Sequence, residues 1–283
     1  MRRMFGWSMG LLSSLLITVG GCAKGRVNPS FTLPVKKAKH ELDMMAKNPK
    51  QLTRPVVVLG GWMDPGFSSE GMANFVRKTT KNTAVIPIAF FGSSSFDDSA
   101  NKLVKALEDE LPSVEMNETV EVDVIAYSMG GLIARYAVIP PREAPVVSTT
   151  FGTVIATTAR KRLNIRNLYT ICTPHKGASL ARLGSFDPNA RDMQVGSDFL
   201  LHLAQDYSMN RRFELRTYAR LDDVIVGEEN TAPDDVPIWW VGRAAMGGGH
   251  AWAEQDPRIL ADTLRHLRDE PTYAQEPASP LPE

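Results

Sequence analysis

The chain has 283 residues, 43% hydrophobic and 23% charged, enough for one large α/β core with short extensions. Lysine plus arginine and aspartate plus glutamate each total 32, so the formal net charge is zero and no basic excess recommends a nucleic acid as partner. Only two cysteines, Cys22 and Cys172, are present, which excludes a disulfide framework.

Residues 1–21 read as an export signal. Arg2 and Arg3 supply a positive start, and the apolar run Leu11 to Val19 is short for a mature membrane span. The run ends at Val19-Gly20-Gly21-Cys22, which resembles the lipobox of bacterial lipoprotein signal peptides. That resemblance implies cleavage before Cys22, a lipid on its thiol, and a protein held on a membrane of the bacterial cell envelope. A plain secretory signal is the rival, and it too implies export. Residues 22–53 read as a tether. They carry a basic patch (Lys36, Lys37, Lys39) and a short helix over Val35 to Ala46, with Leu42 and Met45 on one side, by which it could dock on the domain.

Residues 54–270 read as the folded domain. Val56 to Leu59 is a continuous apolar run, as expected of a strand buried on both faces of a parallel sheet. A Gly60-Gly61-Trp62 loop leads to a helix over Ser69 to Lys81. The strand Ala84 to Ile88, a helix over Asp97 to Glu110 and the strand Val120 to Ala126 follow. A helical pattern starts again at Met129 and is broken by Pro140, Pro141 and Pro145, after which residues 146–162 fit either a hairpin or a helix. Asn167 to Cys172 is the next core strand and runs into Thr173-Pro174-His175-Lys176-Gly177. Residues 178–212 form an insertion, a candidate cap, with a helix over Ser197 to Tyr207 whose stripe is Phe199, Leu200 and Leu203. A strand from Phe213 runs into Asp222-Asp223-Val224-Ile225-Val226, and Pro237 to Val241 is the last strand. Gly247-Gly248-Gly249-His250 comes next, then a helix capped by Asp256 and opened by Pro257. Residues 271–283 are proline-rich and read as disordered. Strands alternating with helices at these lengths imply an α/β fold, a mostly parallel central sheet with helices on both faces.

The chemistry centres on Ala126-Tyr127-Ser128-Met129-Gly130, where a strand meets a helix at a serine flanked by small residues. This is the context of a nucleophile elbow. A serine hydroxyl needs a base, and the base an orienting acid. His40 falls in the tether, and His202 and His266 fall on amphipathic helices. His175 and His250 each follow a core strand, and His250 is preferred because it follows the last strand in the order serine, acid, histidine. Asp223 is the preferred acid and Asp222 the alternative. The backbone N–H groups of Met129 and Trp62 are the candidate oxyanion donors, with Met63 the alternative to Trp62. Tyr127, His175, Phe199 and Leu200 are candidate substrate contacts. No metal site is expected.

The segments Val58-Leu59-Gly60-Gly61-Trp62, Ala126 to Gly131, Thr173 to Gly177, Asp222 to Val226 and Gly248-Gly249-His250 together resemble the α/β-hydrolase lipases and esterases. The nearest likeness is to bacterial lipases with an Ala-x-Ser-x-Gly elbow. The chain is also similar to the branch that holds GPI inositol-deacylases and lecithin-cholesterol acyltransferase. Gly60 stands where that family usually has histidine. The resemblance implies hydrolysis of acyl or lipid esters through an acyl-enzyme, without metal or organic cofactor. Acyl transfer to an alcohol by the same triad, and a non-catalytic envelope lipoprotein on the same fold, remain as alternatives.

Overall fold

The computed structural model describes residues 26–150, 152–154, 160–184, 186–243 and 249–283. The leader expected at 1–21 and the lipidation expected at Cys22 fall outside the described residues. The central element is a parallel six-stranded sheet in the order β2-β1-β3-β6-β7-β8. Its strands are β1 (Val56–Leu59), β2 (Val85–Ile88), β3 (Glu118–Tyr127), β6 (Arg162–Ile171), β7 (Glu214–Arg220) and β8 (Ile238–Val241). Within 146–162 the described residues include a two-stranded pairing, as in the hairpin alternative: β4 (Val147–Thr149) pairs antiparallel with β5 (Gly152–Val154), while 151 and 155–159 lie outside the described residues.

Side chains alternate across the pleat, so each inner strand feeds two cores. Val57 and Leu59 of β1, with Val124 and Ala126 of β3, face α3 (Phe96–Glu110), α4 (Met129–Ala137) and α6 (Asp198–Met209). Val56, Val58 and Ile125 face α1 (Val35–Lys47), α2 (Phe67–Thr79) and α7 (Pro257–Leu267). All four β1 side chains are fully buried, each contributing about 1.5–3 kcal/mol of apolar burial. The short α5 (Pro188–Asp192) lies in the insertion. Helix starts are locally encoded. Ser95 Oγ accepts from Asp98 N, Ser197 Oγ from Leu200 N, and an Asp256 carboxylate oxygen from Arg258 N.

Two predicted boundaries are corrected. From Asn28 onward the supposed tether is part of the fold: Phe31, Leu33, Ala38, Leu42 and Met45 are buried in the α2/α7 core. Glu41 pairs with Arg265 at 2.6 Å, and the Asn28 amide donates to Trp240 O at 2.9 Å. The sequence shows only a weak apolar side there because α1 buries just three positions, Ala38, Leu42 and Met45, among polar neighbours. Residues 271–283 are likewise packed rather than disordered. Asp262, buried on α7, accepts from Tyr273 N and Ala274 N, and the Trp240 indole donates to Ser279 O and Pro280 O. Proline-rich chain lacks many N–H groups, so a few anchors on fixed polar side chains suffice to hold it extended.

The order 2-1-3 places a topological switch between β1 and β3. In open α/β sheets the crevice at the carboxyl ends of the strands at such a point is where ligands bind.

Candidate active site

β3 ends at Tyr127 and α4 begins at Met129, leaving Ser128 alone in the turn at φ 52° and ψ −127°. A non-glycine residue at positive φ is costly and persists only where its surroundings hold it. Here the Ser128 amide donates to Ile171 O at 2.9 Å, and Ser128 O accepts from Thr173 Oγ1 at 2.8 Å and Gly131 N at 3.1 Å. Small residues follow because the backbones pass close by. A Cβ on Gly130 would meet Gly60 O at 2.6 Å and Leu59 Cβ at 2.9 Å, and one on Gly131 would run into Thr173. Ala126 is fully buried, and its single methyl is accommodated in the α3/α4 core.

The structure brings Ser128, Asp223 and His250 together. His250 Nε2 lies 3.1 Å from Ser128 Oγ, and His250 Nδ1 lies 2.9 Å from Asp223 Oδ2. The other carboxylate oxygen of Asp223 accepts from Ile225 N at 3.1 Å and Val226 N at 2.9 Å. Asp223 is therefore fixed in rotation, with one oxygen turned to the imidazole. Residues 222–226 form a turn beyond β7 rather than more strand, and Val224 is exposed while Val226 is buried. Asp222 sits outside, at φ 65°, facing Arg243. Gly249 donates to Asp222 O at 2.9 Å, and a Cβ there would collide with the 221–223 backbone. Tyr127 donates its hydroxyl to His250 O at 3.0 Å, pinning the histidine loop to the end of β3.

Cys172, at φ 49° after β6, lies behind this chain. Its thiol is fully buried, and burial and then the nearby Asp223 carboxylate push its pKa well up, so it stays a neutral thiol. Among the described residues the one grouping of three possible metal ligands is Cys172, Asp223 and His250. Its aspartate and histidine are already hydrogen-bonded to each other.

The serine opens into a cavity of about 610 Å³. Trp62, Phe67, Leu180, Phe186, Met193 and Ile225 give it an apolar wall, and Tyr127 also lines it. Trp62 follows Gly60-Gly61 on the loop from β1. A Cβ on Gly61 would meet the Tyr127 ring at 3.2 Å and Ser128 Cβ at 3.3 Å, so the loop passes the serine closely and a side chain there would have to push its neighbours aside. Met129 is the first residue of α4, where N–H groups have no partner within the helix and the dipole is positive.

The remaining predicted contacts are corrected. Phe199 and Leu200 do not reach the cavity. Phe199 stacks on Phe96 with ring centroids 4.3 Å apart, and both residues are buried in the α3/α4 core. It is the first part of the insertion, Ala178 to Met193, that walls the cavity, while α6 packs on the domain. His175 is also withdrawn from it. Arg135 Nη1 donates to His175 Nδ1 at 2.8 Å, which leaves Nε2–H to donate to Thr170 Oγ1 at 3.0 Å. Burial and then the Arg135 charge hold this imidazole well below its usual pKa, so it is neutral. It is a structural joint. Arg135 itself, brought down to about 10 by burial, also donates to Leu203 O at 2.6 Å.

Asp64 and Glu254 are among the cavity residues that the sequence does not single out. Asp64 accepts from Phe67 N and Ser68 N and fixes the loop after Trp62; its only signal was the Asp-Pro-Gly turn. Glu254, buried beside His250, had none.

This parallel sheet, with helices on both faces and a serine at the end of β3, is an α/β-hydrolase fold. Residues 89–211, less than half the chain, match the family described as "Putative serine esterase (DUF676)". That stretch contains Ser128 and His175 but neither Asp223 nor His250. Among solved structures, the phospholipase PlaB from Legionella pneumophila is similar at 15% identity and a TM-score of 0.52 over 76% of this chain. This chain spans 60% of the length of that phospholipase. The mature lipase BlEst2 from Bacillus licheniformis is 15% identical over 77% of this chain and 91% of its own, at a TM-score of 0.47. No curated protein matches the sequence.

Proposed function

We propose that the protein is a serine hydrolase of carboxylic esters, acting on acyl or lipid esters through an acyl-enzyme. One observation carries this reading: the unbroken hydrogen-bonded chain Asp223–His250–Ser128 opening into an apolar cavity at the sheet's switch point. His250 takes the proton of Ser128 as Oγ attacks the ester carbonyl. Asp223 holds Nδ1–H, which keeps Nε2 free to accept, and steadies the imidazolium that forms. The tetrahedral oxyanion is met by the N–H groups of Met129 and Trp62. His250 then gives its proton to the departing alkoxide, and water on the same path releases the acid. No step calls for a metal or an organic cofactor.

The apolar wall supports an acyl chain as the group it shelters, and the match to an esterase family model supports ester chemistry. If an alcohol replaces water in the second half-reaction, the same residues make an acyltransferase. The leader ending at Cys22 supports an exported, lipid-anchored enzyme at the cell envelope, which would place the cavity near its substrates. The test is turnover of 4-nitrophenyl esters of graded chain length, with Ser128→Ala as control and with added alcohols as acceptors. Hydrolysis by the wild type alone is expected. Failure of folded wild type to turn over any of these esters would overturn the proposal, and acyl transfer outrunning hydrolysis would favour the second reading.

A further inference from the structure

The cavity is lined mostly by apolar residues. Much of that wall comes from the insertion and the turn after Asp223, through Leu180, Phe186, Met193 and Ile225. Asp64, Glu254 and Gln255 are polar residues in the same lining. The polar groups there differ in how far they are satisfied. Asp64 is committed to its own loop, accepting from Gly66 N, Phe67 N and Ser68 N and contacting Ser68 Oγ. Glu254 is only 5% exposed, yet its Oε2 has no hydrogen-bond partner among the described residues. The carboxyl is otherwise held by the residue's own backbone N–H and by a long 3.3 Å contact from the Gln255 amide to Oε1. A buried carboxyl left this open costs free energy unless something completes it. Burial is also the main cause that raises its pKa. A carboxyl's terminal torsion is broad, so either oxygen can turn to the cavity.

Position decides which part of a substrate it meets. Glu254 sits four residues after His250, in a segment folded back by successive turns: Ala253 N donates to His250 O and Gln255 N to Trp252 O. It is close enough to His250 for that ring's charge to act on its carboxyl. His250 is the group that must protonate the departing alkoxide, so the wall beside it is the alcohol side of the ester.

The geometry points to Glu254 as the residue that recognises a hydroxyl group on the alcohol portion of the ester, selecting partial esters of polyols over esters of plain alkanols. This rests on the ester-hydrolase reading above. The hydroxyl accepts from, or donates to, the Glu254 carboxyl while the acyl chain lies on the apolar wall. No bond beyond the ester is made or broken.

The test holds the acyl group constant and changes the alcohol: glycerol monobutyrate against propyl butyrate, and 2-hydroxyethyl butyrate against 2-methoxyethyl butyrate. The wild type is expected to favour the hydroxylated ester of each pair by about tenfold or more in kcat/KM, the worth of one hydrogen bond that would otherwise be unmade. In Glu254→Met both ratios are expected to fall close to one, and Glu254→Gln, which keeps a donor and an acceptor, to retain part of them. The rate of fluorophosphonate labelling at Ser128 checks that each protein is folded and competent. Ratios near one in the wild type, or unchanged in Glu254→Met, overturn the assignment. Should Glu254→Met not fold, the two wild-type ratios still decide. A wild type that takes no fluorophosphonate sinks the hydrolase reading itself, whereas labelling without alcohol preference sinks only the role of Glu254.

Discussion

Replacing Asp223 by asparagine tests how the imidazole is held. Two backbone donors, Ile225 N and Val226 N, converge on Oδ1. In Asp223→Asn the amide oxygen must occupy that place, because an NH2 group there would face two donors. The NH2 then points at His250 Nδ1 from the Oδ2 position, which lies 2.9 Å away in the native protein. Nδ1 must become the acceptor, so the ring proton moves to Nε2, 3.1 Å from Ser128 Oγ. A base already carrying its proton cannot take another, and the geometry is otherwise unchanged. The expected loss is about 10⁴-fold in kcat, the size seen when a triad histidine is held in the wrong tautomer. The assay is steady-state hydrolysis of a short 4-nitrophenyl ester, with Asp222→Asn, an exposed neighbour, as control. A loss under tenfold in Asp223→Asn, or a comparable loss in Asp222→Asn, would refute the tautomer reasoning and the choice of acid.

Phe199→Ala should destabilise the protein by about 3–5 kcal/mol, read by denaturant unfolding, and leave the order of preference among acyl chain lengths as it was. A shifted chain-length profile at little cost in stability would return Phe199 to the cavity. His175 has a folded pKa below its unfolded value near 6.5, so the unfolded chain binds the extra proton on acidification. The stability it contributes is full above about pH 6.5 and is lost as pH falls through the folded pKa. His175→Gln should therefore lower Tm at pH 8 and lose less further Tm on going to pH 5; equal losses in the two proteins would argue against a buried neutral His175. Deleting residues 271–283 removes two N–H donors from the buried Asp262 carboxylate and should cost about 3 kcal/mol or more. An unchanged unfolding midpoint would restore the disordered reading of the tail.

The parts of the fold legible in the sequence are those with local causes. β1 announces itself as four consecutive apolar residues because a strand buried on both faces has no polar side to alternate with. The serine turn is legible because close backbone passage demands small neighbours at fixed offsets. Around Asp223 the sequence reads as a strand from Phe213 running into Asp222-Asp223-Val224-Ile225-Val226. The strand stops at Arg220, and what aims Asp223 is a turn whose amides grip one oxygen. The stripe of α6 shows that one face is buried but not against what, and Phe96 and Tyr136, its ring partners, lie far away in sequence. The same limit applies to α1, which packs into the apolar core with α2 and α7, and to the tail, which is held by Asp262 of α7 and Trp240 of β8. Glu254 carries no local mark at all. A lone glutamate before Gln255-Asp256-Pro257 reads as helix-start chemistry until the fold turns it toward the cavity.

The most direct measurement is the site of reaction with a fluorophosphonate, located by mass spectrometry on the intact and digested protein. The expected result is one adduct per chain, on Ser128, with none on Ser128→Ala and slow formation on Asp223→Asn. Folded wild-type protein that takes no adduct, or takes it at another residue, would contradict Ser128 as the nucleophile.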